Sequence, residues 1–130
     1  MTEPEHDPLL WILLQLQKWI DSAKRESFWQ AIVEHEMEAE GLHDLTKHAL
    51  VWLELRGHEE EASEIDESLS EFMDAVWEFG ESTKLEYPPD SFRCRESRED
   101  MLEAGNRLAG RVEDAAGELP GAVWEGFEDG

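Results

Sequence analysis

The chain has 130 residues, enough for one domain with one real core, and its 40% hydrophobic content, with six Trp and five Phe, separates it from disordered acidic tails. Thirty-three acidic residues against 11 basic ones leave a formal net charge of −22. That charge excludes direct binding to nucleic-acid phosphates or an anionic membrane and favours a strongly cationic protein partner.

Hydrophobic spacing predicts an all-α chain, a single-domain bundle of about five helices with no convincing strand. Met1 to Asp7 is acidic rather than basic, so no signal peptide is expected, and Leu9 to Leu14 is too short to span a bilayer. Cytoplasmic residence follows as the expectation, in a host cell if the chain is phage-encoded. Asp7 is positioned to cap a first helix with Pro8 at its first turn, running to about Ser22. Leu9, Ile12, Leu13, Leu16, Trp19 and Ile20 share one face of it. Leu10, Trp11 and Leu14 lie off that face, which suits a central helix or a contact with another chain and leaves self-association open.

Ser27-Phe28-Trp29-Gln30 reads as a capping box for a second helix that ends near Glu40, with Phe28, Trp29, Ile32, Val33 and Met37 inward and Gly41 as its stop. Glu34, Glu36, Glu38 and Glu40 give it an acidic exposed side. Asp44 is expected to cap a third helix carrying Leu45, Ala49, Trp52, Leu53 and Leu55, closed by Gly57. A fourth starts between His58 and Ser63 and ends at Gly80. Gly80 to Phe92 contains Tyr87-Pro88-Pro89-Asp90 and is expected to be a long loop before the last helix. That helix is capped by Ser97-Arg98-Glu99-Asp100, carries Met101, Leu102, Leu108, Val112 and Ala115, and stops at Gly117; its Ala and Gly content suits close helix packing. Residues 1–119 thus form an acidic helical domain, and 120–130 a tail whose Val123, Trp124 and Phe127 are expected to dock on it.

The fourth helix carries the main functional signal. Between Glu59 and Glu81 there are ten carboxylates and no Lys or Arg. Glu60, Glu64, Glu67, Glu71, Asp74 and Glu78 recur at spacings of four and three, which places them within roughly 40° of one line along a helix. Ile65, Leu69, Phe72, Met73 and Val76 fall on the opposite side. Five like-charge neighbours in that line, each destabilising by about 0.2–0.5 kcal/mol, sum to roughly 1–2.5 kcal/mol. Solubility alone does not require that cost, because Lys residues could have been mixed in.

No catalytic or metal chemistry is expected. Among Glu-x-x-His spacings, Glu40-Gly41-Leu42-His43 fits a di-iron bundle pattern, but Gly41 is expected to break the helix between its ligands. A Cys-x-x-Cys pair, a Gly-rich phosphate loop and a recognisable Ser, His and Asp motif are all missing. Cys94 is the one cysteine, which rules out an intrachain disulfide; Arg93 and Arg95 beside it favour a thiolate, but a plain intracellular thiol is the expectation. Trp19, Trp29, Trp52 and Trp77 are assigned to the core, Trp11 and Trp124 to exposed anchors.

Ten carboxylates over about 33 Å of helix approach the linear charge density of one nucleic-acid strand, one per ~3.4 Å. The expected function is therefore a nucleic-acid (DNA) mimic: a non-enzymatic, cofactor-free inhibitor filling a partner's basic groove, with Glu60, Glu64, Glu67, Glu71, Asp74, Glu78, Glu34 and Glu38 as contact residues. In size, helical content and charge the chain resembles the small acidic inhibitors that phages use against restriction enzymes and CRISPR complexes, a resemblance to a class, carried by composition over the whole length. It implies that the partner is a defence nuclease complex. Two alternatives use the same acid differently. An immunity or antitoxin-type protein would block one basic toxin. A halophile's ordinary helical protein would carry acid for salt; four Lys against seven Arg fits this, while 24 Glu to nine Asp and the bulky aromatics do not. The mimic reading requires the carboxylates to face outward in a line, free of neutralising arginines.

Overall fold

Among the described residues there are four α-helices rather than five. The computed structural model describes residues 8–25, 28–84, 92–125 and 127, with side chains described except at 25, 28–36, 82–84, 92–94 and 121. Helix α1 is Pro8–Arg25, α2 Phe28–Leu55, α3 Glu59–Lys84 and α4 Phe92–Glu118, followed by a 3-10 turn at Gly121–Trp124. Among the described residues there is no strand. Asp7, the Ser27 capping box and the Tyr87-Pro88-Pro89-Asp90 segment lie outside the described residues.

The miscount arises at Gly41. A single helix runs through it, so Gly41 is not a stop and Asp44 not a cap. Ala39, Leu42, Thr46, Ala49, Leu50 and Leu53 are buried on both sides of it in one unbroken stripe. A mid-helix glycine costs about 1 kcal/mol, whereas burying one leucine side chain returns about 1.5–3 kcal/mol. The stripe wins. The Thr46 hydroxyl within it donates to the Leu42 carbonyl at 2.6 Å, so this polar group is buried with a partner. The other glycine stops also shift: α3 continues through Gly80 to Lys84, and α4 begins at Phe92 rather than at the Ser97 cap and passes Gly117 to Glu118. Helix therefore occupies both ends of the expected 80–92 loop, and residues 85–91 lie outside the described ones.

Gly57 does end a helix. Its φ of 87° lies in the left-handed region. His58 N–H bonds Leu53 O at 2.8 Å and Gly57 N–H bonds Glu54 O at 3.2 Å, the paired bonds of a Schellman cap. This turn folds α3 back along α2, and Glu59, Glu60 and Glu61 at the start of α3 sit favourably at the positive end of its dipole.

Each helix packs on two others in a ring: α1 on α2 and α4, α3 on α2 and α4. Thus α1 and α3 occupy one diagonal. Lys47 of α2 reaches Asp66 of α3 at 2.5 Å. Arg98 of α4 donates to the last carbonyls of α1, those of Ala23 and Lys24, the latter at 2.8 Å. The core sits between the diagonals. Phe72 of α3 is fully buried and meets Trp19 of α1 edge-on, with centroids 5.0 Å apart. A Cβ on Gly105 of α4 would lie 3.3 Å from Ile20 and 3.4 Å from Phe72, so the close approach of α1 and α4 depends on that glycine, as the Ala and Gly content of α4 suggests.

The described part of the tail covers one end of the bundle. Val123 and Trp124 are buried, Trp52 Nε1 donates to Val123 O at 2.6 Å, and Phe127 packs edge-on to Trp52 and Trp124. Trp124 is therefore a docking residue of the tail and not an exposed anchor. Trp77 is the reverse: assigned to the core, it is 65% exposed. Met37 and Leu55 also face solvent.

Two substitutions test this packing. Nothing lies within 4 Å of a Cβ built at Gly41, so Gly41→Ala should stabilise the fold by about 0.5–1 kcal/mol, read as a higher urea midpoint at unchanged slope. Phe72→Ala should cost about 3–5 kcal/mol in the same titration through the cavity it opens.

Candidate docking face on helix α3

The line of carboxylates emerges from the way α3 is held. Ala62, Ile65, Leu69, Phe72, Val76 and Phe79 recur at alternating spacings of three and four and are all buried. That fixes the roll of the helix. The six residues on the far side, Glu60, Glu64, Glu67, Glu71, Asp74 and Glu78, are all exposed. Eighteen residues separate the first from the last, a rise of about 27 Å.

Two of the six meet arginines. Arg107 Nη2 of α4 lies 3.8 Å from Glu71 Oε2, and Arg111 Nη1 lies 3.7 Å from Glu64 Oε2. All four side chains are about half exposed. Glu64 and Glu71 take part in four of the five like-charge neighbour pairs in the line: Glu60–Glu64, Glu64–Glu67, Glu67–Glu71 and Glu71–Asp74. The two arginines, four apart on α4, therefore contact two of the four interior positions, Glu64, Glu67, Glu71 and Asp74, each of which has like charge on both sides. Among the described residues no basic side chain lies within ion-pair distance of Glu60, Glu67, Asp74 or Glu78. Exposed pairs at such distances are worth about 0–1 kcal/mol, so these arginines moderate the face without cancelling it.

Counting ten carboxylates overstates the density of the outward line. Asp66 turns to Lys47 on the α2 side, and Glu61 is half-buried with its carboxylate 3.9 Å from His58 Nδ1. The six in line amount to one charge per about 5 Å, sparser than one nucleic-acid strand at ~3.4 Å.

Glu38, on the acidic side of α2, does not extend this face. Glu38 lines a groove between α1 and α2, and it stands nine residues from Lys47, half a turn around the helix from the contact with α3. Glu34 lies on α2, but its side chain is outside the described residues. Trp77 is the addition. It stands three residues after Asp74 and next to Glu78, placing an exposed indole on the flank of the line away from Arg107 and Arg111. Its angular offset of about 100° from the line was readable as a surface position; its apolar character drew it into the core assignment instead.

Glu40 and His43 share one continuous helix rather than straddling a break. His43 Nδ1 lies 3.4 Å from Asp44 Oδ1. Among the described residues no group of three or more His, Cys, Asp or Glu is placed to hold a metal ion, and no helix is long and apolar enough to cross a membrane.

Compared with known proteins, the chain matches no protein-family model, no curated protein and no solved structure. Its functional assignment therefore rests on its own residues.

The role given to the arginines is testable. Replacing Arg107 and Arg111 together by Ala should lower stability by about 1 kcal/mol in 0.05 M salt and by much less in 1 M salt, where screening reaches ~3 Å. A loss independent of salt would mean that the two side chains act through packing.

Proposed function

We propose that this chain is a nucleic-acid mimic: it places the outward face of α3 in the basic nucleic-acid-binding groove of another protein and inhibits it. The supporting observation is the outward carboxylate line on a helix whose back is locked into the core. The anions are pre-positioned, so a cationic groove gains contacts without first ordering the ligand. The formal charge of −22 steers the encounter and makes it fast and salt-sensitive. Glu60, Glu67, Asp74 and Glu78 contribute unpaired charge; Glu64 and Glu71 contribute after their arginines swing aside, at small cost. The target as a defence nuclease complex follows from the compositional resemblance, and the cytoplasm is the compartment that such a target requires. No catalytic step is assigned to the chain.

Trp77 favours a second reading. An exposed indole beside an acidic line suits one matched pocket, since Trp dominates binding hot spots. An immunity-type inhibitor of a single basic nuclease would use it so.

Competition separates the two. Labelled DNA is bound to several unrelated basic nucleic-acid-binding proteins, and the chain is added at 0.05 M and 0.5 M salt. A mimic displaces DNA from several of them at low salt and loses that ability at high salt. The variant with Glu60, Glu67, Asp74 and Glu78 all changed to Lys should displace none, with its helical circular dichroism unchanged. Equal displacement by parent and variant, or none by the parent, overturns the mimic reading. Displacement from one protein alone, abolished by Trp77→Ala, assigns the immunity-type role.

A further inference from the structure

The outward line on α3 is straight, and a duplex strand is not. Glu60, Glu64, Glu67, Glu71, Asp74 and Glu78 stay within roughly 40° of one line over a rise of about 27 Å. One strand of B-DNA completes a turn in about 34–36 Å, so over the same distance its phosphates sweep about three-quarters of the way around the axis. The spacing differs as well. Five intervals in about 27 Å put one carboxylate every ~5 Å, against ~3.4 Å for a duplex strand. A single strand laid along a groove is held to neither constraint. It follows the path of the groove, and with its bases unstacked its charges lie further apart than the duplex rise. Six charges also fall within the span of about 4–16 nucleotides that one single-strand-binding fold takes up.

A second observation is independent of charge. Trp77 is the sole large apolar side chain of α3 exposed to solvent among the described residues. It stands on one flank of the line, away from Arg107 and Arg111. Ser63 and Ser70, fourteen and seven residues before it, are exposed on the same flank, so the indole projects beside short side chains. Anions in a line with an aromatic ring to one side present what a single strand offers a protein: phosphates for a cationic track and a base face for stacking. In a duplex the base faces are covered by their neighbours and only the edges show in the grooves, so an exposed indole has no counterpart there.

We infer that the groove entered by α3 is a single-strand channel, a cationic track lined with aromatic side chains, in which Trp77 takes the place of a stacked base. The partner is thereby a protein that holds unpaired nucleic acid. This rests on the mimic reading and narrows it. The charge of the face requires the track to be cationic, and the indole requires an aromatic or flat apolar surface beside it. Asp74 and Glu78, three residues before Trp77 and one after it, hold anions within one turn of the ring. The buried side of α3 fixes the roll of the helix, so ring and anions meet the channel in one arrangement set before binding.

Displacement from matched probes is the test. Fluorescent oligothymidine is bound to two OB-fold single-strand-binding proteins, and a labelled duplex to two helix-turn-helix proteins, all at low salt. Anisotropy gives the concentration of the full chain that displaces half of each label. That concentration should be at least about tenfold lower for the single strand than for the duplex. Trp77→Ala alters an exposed side chain, so circular dichroism should be unchanged. It should raise the single-strand value at least about fivefold and leave the duplex value where it was. Trp77→Phe, which keeps a stacking face, should recover most of that loss. Equal displacement of both labels, or a preference for the duplex, overturns the single-strand assignment and leaves the mimic reading standing. So does a Trp77→Ala variant as effective as the parent. Displacement of neither label overturns the mimic reading, and the single-strand assignment with it.

Discussion

The burial of Phe72 is the contact on which the rest of the molecule depends. Its ring meets Trp19 of α1 edge-on and lies against Gly105 of α4, so one side chain joins three helices. An aromatic ring in that position is worth several kcal/mol of core packing. It also fixes the rotation of α3 about its axis. A helix turned by 100° would bury Glu71 and Glu78 without compensation, at a cost well above the energy of any surface pair. The outward line of carboxylates is thus a consequence of what lies behind it.

The same anchoring explains why a costly charge pattern is sustained. Repulsion within the line amounts to roughly 1–2.5 kcal/mol, which a core of this size can absorb. Arg107 and Arg111 moderate it at Glu71 and Glu64, two of the four positions flanked by like charge on both sides. Lysines interleaved along α3 itself would have relieved the strain equally well but ended the line. Placing the cations on the neighbouring helix keeps the face continuous, and about half-exposed pairs remain open to exchange for a partner's cations.

Helix α3 was the most legible part of the sequence because its two periodicities, apolar and acidic, report the same roll. The turn at Gly57 was legible too, since the apolar stripe of α2 ends there. Gly41 reads locally as a stop, but the buried stripe running across it overrides that propensity. Trp77 and Trp124 exchanged places for a related reason: residue type outweighed angular position for Trp77, while the burial of Trp124 depends on the path by which the tail reaches Trp52, which no local pattern encodes. The Arg107–Glu71 and Arg111–Glu64 contacts depend on the relative register of α3 and α4. That register is set by Phe72, Gly105 and Ile20, residues distant in sequence, so the net charge of the face was readable while its local compensation was not.

The Arg98 contacts carry an implication for how the protein comes into being. The carbonyls that end α1 are completed by a guanidinium 74 and 75 residues later in the chain, from the same helix that covers Phe72. During synthesis α1, α2 and α3 emerge with a large aromatic surface uncovered and the first helix unfinished at its carbonyl end. The fold can close only after most of α4 has left the ribosome. A fragment truncated before α4 is thus a sticky intermediate rather than a smaller version of the same protein.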